Sequence, residues 1–287
     1  MKTFTIGIAI AGVLLLLLAP MLGTYLAGLY LGVDRGNGNS NISAHFRRVH
    51  PQYTDTWWPD CGIRALLPKE RGKNAMKYTG MPFAVWQFFY SSFEKNLTAF
   101  FGISKADAKS TMAKAKEKYK EIIENLPEFE KGDRFQMNIV GCAMLAAVVL
   151  SMPERPDVET FTVYYRSSMM TGIMKWFCRM SGKQKFTPKD MDNMKKTAAF
   201  RAADRNPYSW NMDFLPYPDG SGYEARFTKC GICTLMQELG LFELVPAMCA
   251  LDYAMSEAGG ASQFVRECTL ANGDDYCDCG YKKRVEG

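Results

Sequence analysis

Histidine is almost missing from this chain: only His45 and His50 occur in 287 residues. A site in the body of the protein must therefore work without imidazole. That removes Ser-His-Asp and Cys-His catalysis, and histidine-built metal centres, unless the N-terminal stretch folds back. An excess of one charge is missing too, since the formal net charge is only +5 and the pI is near 8.6. So slight a balance argues for no nucleic-acid partner. Nine cysteines are too few for a disulfide scaffold, and an odd number leaves at least one thiol unpaired within the chain. No internal repeat is visible. What is present is ordinary globular composition, 47% hydrophobic and 23% charged. That excludes a wholly disordered, collagen-like or coiled-coil chain.

One long run stands apart. From Thr3 to Val33 there is no charged residue, with Lys2 before it and Asp34 and Arg35 after it. Ile, Leu, Ala, Val and Gly dominate, and about 20 such residues cross a bilayer core. Pro20 and Gly23 are expected to kink it, which lipid-embedded helices tolerate. The rival is a cleaved signal peptide, but its apolar core is normally about 7–15 residues and no convincing cleavage site precedes Asp34. The expectation is an uncleaved single-pass anchor over residues 1–33, with the bilayer as partner through residues 3–33. Arg35, Arg47 and Arg48 lean toward a cytoplasmic body by the positive-inside rule. Thiols without an evident pairing pattern lean the same way.

Residues 34–77 read as a juxtamembrane linker. Gly36 to Ser43 (GNGNSNIS) frees the body from the membrane. His45 to His50 is either a headgroup-binding basic patch or a solvated face. The two histidines lack an i,i+4 spacing and are read as non-ligands.

Residues 78–287 read as one α+β domain. Trp86, Phe89, Tyr90, Phe93, Leu97 and Phe100 recur mostly at intervals of three and four, the mark of an amphipathic helix. Ser104 caps a second helix with Met112, Ala115, Tyr119, Ile122 and Leu126 on one face, stopped by Pro127. Its lysines lie mostly off that face. The uncharged run Met137 to Met152 is short for a membrane span, so it predicts a buried helix. Thr160 to Tyr165 (TFTVYY) predicts a strand, and Met169 to Met180 and Pro188 to Ala203 predict helices. Strands follow at Trp210 to Tyr217 and Glu224 to Lys229 around the turn Pro218 to Gly222. Helices are expected over Cys230 to Leu239 and from Glu243 to about Ser256. A closing hairpin joins Gln263 to Ala271 with Tyr276 to Lys283. Helices first and antiparallel strands later give the α+β class.

Six cysteines fall between Cys230 and Cys279. A hairpin centred on Gly273-Asp274 pairs Cys268 with Cys279 and Leu270 with Cys277, and sets Arg266 opposite Tyr281. Alternation then puts Phe264, Arg266, Cys268 and Leu270 on one sheet face with Cys277, Cys279 and Tyr281. Cys230 and Cys233 share a helix face, as do Cys249 and Asp252. Packed on that sheet face, these groups would converge. Three readings compete. The cysteines are small core residues. Alternatively, Cys230, Cys233, Cys249, Cys277 and Cys279 hold zinc or an iron–sulfur cluster. In the third reading a thiol is a nucleophile or acid/base group, with Arg266 tuning it or holding a carboxylate and Asp252 orienting water or a proton.

Residues Trp210 to Lys283 also carry a set of short signatures. Trp210 with Phe214 leads into Cys230 at a helix start. Glu238-Leu239-Gly240 follows, then Pro246 with Cys249 and Asp252. Arg266 comes next with Thr269-Leu270-Ala271 and Gly273, and Cys277-Asp278 closes the set. This combination resembles the L-2-amino-thiazoline-4-carboxylic acid hydrolase family. Cys279 departs from the usual aromatic residue, Cys233 and Cys268 look like extras, and the anchor is not part of the usual soluble enzyme. The resemblance implies a hydrolase acting on a small cyclic amidine, with a small-molecule partner and no cofactor, and the expected anchor would tether it to the membrane. It ranks Cys230, Cys249, Cys277 and Asp252 as catalytic candidates, with Arg266 and Trp210 binding substrate. The alternative is a tethered ligand- or metal-sensing module without catalysis. Asp278, on the opposite strand face from Cys277, is read as structural.

Overall fold

The computed structural model describes residues 75–202 and 205–284. The expected anchor at 1–33 and all but the last three residues of the expected linker lie outside that range. Among the described residues no helix is long and apolar enough to cross a membrane. Ala75 already bridges Pro127, and the Met76 N–H donates to the Leu126 carbonyl. Residues 75–77, ahead of the expected start at Tyr78, thus pack on the end of the second helix.

Helix α1 spans Met81–Phe101, with Pro82 in its first turn and Gly102 in the left-handed region at its end. Helix α2 spans Lys105–Asn125, and the Ser104 hydroxyl accepts from the Asp107 N–H, capping its N-terminus. Their expected stripes face inward, buried except for the half-buried Tyr90 and Phe100, and the Trp86 ring stacks on Tyr119 at 5.5 Å. Helix α3, Gln136–Val149, is the expected buried helix: ten of its residues are inside, packed by α1 and α2. An uncharged helix covered on every side has no polar face to show, so it reads like a membrane segment until its length is counted.

The segment read as a strand at Thr160 to Tyr165 is helix α4, Val158–Met169. β-branched and aromatic residues favour a strand, but tertiary packing overrode that preference. Phe161, Tyr164, Tyr165 and Ser168 are the buried positions, spaced three and four apart, and the Asp157 carboxylate caps the start. Helices α5, Gly172–Gly182, and α6, Pro188–Ala202, follow.

Strands β1, Asn211–Pro216, and β2, Gly222–Lys229, form the expected hairpin. Helix α7 is Gly231–Glu238. A Cβ on Gly231 would lie 2.1 Å from the Tyr208 carbonyl oxygen, so glycine alone lets this helix start against the chain entering β1. The single helix expected from Glu243 is broken into a 3-10 turn at Phe242–Leu244, α8 at Val245–Cys249 and α9 at Leu251–Gly259. Strands β3, Ser262–Val265, and β4, Cys277–Lys283, complete an antiparallel sheet of order β1-β2-β4-β3.

The closing hairpin differs from expectation. Phe264 pairs with Tyr281 and Val265 with Gly280, so the register is displaced by two residues and Cys268 lies beyond the strand. The cause is side-chain hydrogen bonding in the connection. The Asp278 carboxylate accepts from the Glu267 and Cys268 N–H groups, and Asp274 accepts from the Thr269 N–H. Thr269 also caps a 3-10 turn at Leu270–Asn272. Tight pairing is thereby replaced by a folded loop. A shift of two preserves parity, so Phe264, Cys277, Cys279 and Tyr281 still share the inner face.

A buried ion pair fastens the helical part to the sheet. Arg201 and Asp133 side chains are 0% and 1% exposed and meet at 2.8 Å. Arg201 also donates to the Trp210 carbonyl, while Asp133 accepts from Ser209 and from the Phe135 N–H. Removing one partner strands the other charge. Asp133→Leu is expected to lower unfolding free energy by about 3–5 kcal/mol, with Asp133→Leu/Arg201→Met recovering part of the loss. Urea unfolding measures both; a double variant weaker than the single would contradict this.

Candidate active site

The inner sheet face, α6 and the α8–α9 corner enclose a cavity of about 120 Å³. All six residues singled out from sequence line it: Cys230, Cys249, Asp252, Cys277, Arg266 and Trp210. Cys279 lines it as well, whereas Cys233 and Cys268 do not.

Each group reaches the cavity for a local reason. Cys230 stands just before α7, where Gly231 permits the close approach to Tyr208. Cys249 ends α8 and Asp252 lies in the first turn of α9, so the break between these helices brings both inward. Cys277 and Cys279 alternate along β4. Trp210 leads into β1 and stacks on Phe135 at 5.1 Å. The four thiols lining the cavity are free.

Arg266 ties these elements together. Its side chain is 5% exposed. Nη2 donates to Asp252 Oδ2 and, at 3.2 Å, to the Cys279 sulfur; Nη1 donates to the Cys249 carbonyl at 3.1 Å. Phe264 packs under the guanidinium at 4.6 Å. These donors go to protein atoms, which makes Arg266 a positioning group for Cys249 and Asp252. Its charge is secure: burial lowers its pKa, but Cys279, Asp252 and Cys249 outweigh that and raise it.

The thiols are held protonated. Burial pushes Cys249 up to about 12, with Arg266 opposing. Burial likewise takes Cys277 to about 12 against the Leu270 N–H, which donates to its sulfur, and Cys279 to about 12 against Arg266. Cys230 is raised well above the usual thiol range, first by its hydrogen bond with Cys233 and then by burial. A nucleophilic thiol here needs a proton acceptor at the moment of attack. Asp252 is the carboxylate lining the cavity beside Cys249.

Sequence reasoning missed three polar lining residues, Arg134, Asn138 and Thr197. Asp133 pins the turn carrying Arg134, whose Nη1 donates to Thr197. The Asn138 Oδ1 atom is buried without a hydrogen-bond partner. None of the three sits in a recognisable motif; only the tertiary packing, in which Phe135 before α3 meets Trp210 and Phe227, reveals them. Behind the cavity-lining Tyr281, the Lys185 ammonium lies 3.8 Å from the ring centre, and burial lowers that lysine to about 7 despite Asp190. Among the described residues, no group of three or more His, Cys, Asp or Glu side chains is arranged to hold a metal ion.

The α+β scaffold thus gathers four thiols, a carboxylate and two guanidinium groups around one small cavity. The model of the L-2-amino-thiazoline-4-carboxylic acid hydrolase family matches residues 144–281, from within α3 through most of β4. The resemblance read over residues 210–283 is thus borne out and extends back into the helices. No curated protein and no solved structure is significantly similar to the chain.

Thiol reactivity checks the electrostatics. With pKa values near 12, alkylation of Cys249, Cys277 and Cys279 by iodoacetamide in the folded protein should rise about tenfold per pH unit from 7 to 10. Site-resolved mass spectrometry reads each rate. A plateau near pH 8.5 at any of the three would contradict the assignment there.

Proposed function

We propose that the cavity hydrolyses a small cyclic amidine of the 2-aminothiazoline carboxylate type. One observation carries this reading: residues scattered from Trp210 to Cys277 in the family signature line one cavity, and Arg266 joins Cys249 to Asp252 within it. In the reaction, water oxygen adds to the ring carbon between nitrogen and sulfur. The carbon–sulfur bond breaks, one water proton ends on the ring nitrogen and the other on the departing sulfur, and an N-carbamoyl cysteine remains. Asp252, fixed by Arg266, accepts the proton of the attacking group. That group is water, or the thiol of Cys249 or Cys277 forming a covalent intermediate that water then releases. Arg134 takes the substrate carboxylate, because its planar donors suit a two-oxygen acceptor. Trp210 supplies an apolar wall.

Turnover of 2-aminothiazoline carboxylate by the purified full chain tests these roles. Asp252→Asn should lower kcat about 10²–10⁴-fold. A comparable loss in Cys249→Ala or Cys277→Ala identifies a thiol nucleophile, and normal turnover in both identifies water. Arg134→Met should raise KM more than it lowers kcat. Wild-type kinetics in all four variants would refute the reading.

The uncharged run Thr3 to Val33 supports a tethered enzyme. So does the outer face of α5, where Ile173, Trp176 and Met180 are exposed at helical spacing beside the exposed Lys175 and Arg179. Apolar residues flanked by cations suit an anionic lipid surface. The full chain should stay with membranes through carbonate extraction and be released when residues 3–33 are deleted; release of the intact chain would overturn the anchor.

A further inference from the structure

A second cavity, also of about 120 Å³, lies between α1, α3, α4, α5 and α9. Its walls are almost wholly apolar, with Phe88, Phe89, Met169, Met174, Phe177 and Met255 among them. Methionine suits a wall that must adapt to a flexible guest. The two cavities share Asn138, Ile232, Met248 and Asp252, so they adjoin.

Gly141 gives an independent indication. It lies within α3, where glycine costs helix stability relative to alanine. Such a glycine usually permits a close approach, yet nothing stands within 4 Å of where its Cβ would be. The space before it is this cavity. The glycine keeps room open.

At the junction the polar groups accept. Asn138 Oδ1 is buried without a hydrogen-bond partner, and Asp252, whose Oδ2 accepts from Arg266, lines both cavities. A ligand crossing there is best served by an N–H.

We infer that this second cavity binds the linear apolar chain of an amphiphilic ligand joined through an N–H-bearing amide or amidine to a polar head in the first cavity. The inference rests on reading the first cavity as the polar site. It deepens that reading by naming a larger substrate class than the bare ring.

Calorimetric titration of the full chain with butanamide, hexanamide and octanamide tests it, alongside octanoate. Affinity should tighten about three- to fourfold per added methylene. Gly141→Leu should flatten that series, while its turnover of 2-aminothiazoline carboxylate stays at the wild-type level. Gly141→Ala adds one methyl to open space and should weaken octanamide binding but leave butanamide unchanged; it serves if the leucine variant does not fold. Octanoate, lacking an N–H, should bind at least tenfold more weakly than octanamide. Equal affinity for butanamide and octanamide, a chain-length series that survives both Gly141 variants, or octanoate binding as tightly as octanamide would each overturn the inference. A protein without turnover that still shows the series would remove the proposed reaction and leave the chain site standing.

Discussion

The arrangement depends on one buried cation. Arg266 leaves the end of β3, and its side chain bonds to the end of α8, the first turn of α9 and a sulfur on β4. A guanidinium removed from water is costly, and only close partners offset it. Asp252 supplies the countercharge; the Cys249 carbonyl is a helix-end acceptor that the break between α8 and α9 leaves without its intrahelical donor. The same hydrogen bonds that make the buried charge tolerable therefore set the distance between a thiol-bearing helix end and a carboxylate. Arg266 thus ties the α8–α9 corner electrostatically to the sheet.

That constraint bears on the chemistry. A cation beside a thiol usually lowers its pKa and creates a standing thiolate. Here Arg266 opposes the rise at Cys249 and Cys279, but burial dominates and both remain near 12. Asp252 and the neighbouring sulfurs push the same way as burial at Cys249. The result is a cavity whose thiols carry no standing negative charge near neutral pH. With no histidine among the described residues, the proposed reaction assigns proton acceptance to the carboxylate, and a thiol nucleophile in it would first have to give up a proton.

Much of this was legible before any coordinates. The stripes of α1 and α2 were clear because burial on one helical face leaves a three-and-four spacing. The shared face of Phe264, Cys277, Cys279 and Tyr281 was clear because strand alternation depends only on parity, which survived a register displaced by two residues. The register itself was not, because Asp278 and Asp274 hydrogen-bond the intervening chain and a residue pattern does not show where a carboxylate will reach. The TFTVYY run was misread because β-branched and aromatic residues suit either a strand or a buried helix face, and its neighbours decided the matter. Arg134 and Asn138 carried no motif at all. They enter the site only because Asp133, locked to Arg201, holds the turn before α3 against β1.

The sharing of Asp252 between two cavities has a mechanical consequence. One carboxylate oxygen is committed to Arg266, and the helix carrying it is tied to the sheet through the same guanidinium. A guest filling the apolar space would press on Met169, Met174, Phe177 and Met255, side chains of α4, α5 and α9 that can change rotamer at modest cost. The polar side is built the other way, with charge-assisted bonds that lose strength quickly when bent. Adjustment to different apolar chains would therefore be taken up by the methionine-rich wall, leaving the angle between Cys249 and Asp252 nearly constant. Variation in one half of a ligand is thereby separated from the geometry that the reacting half requires.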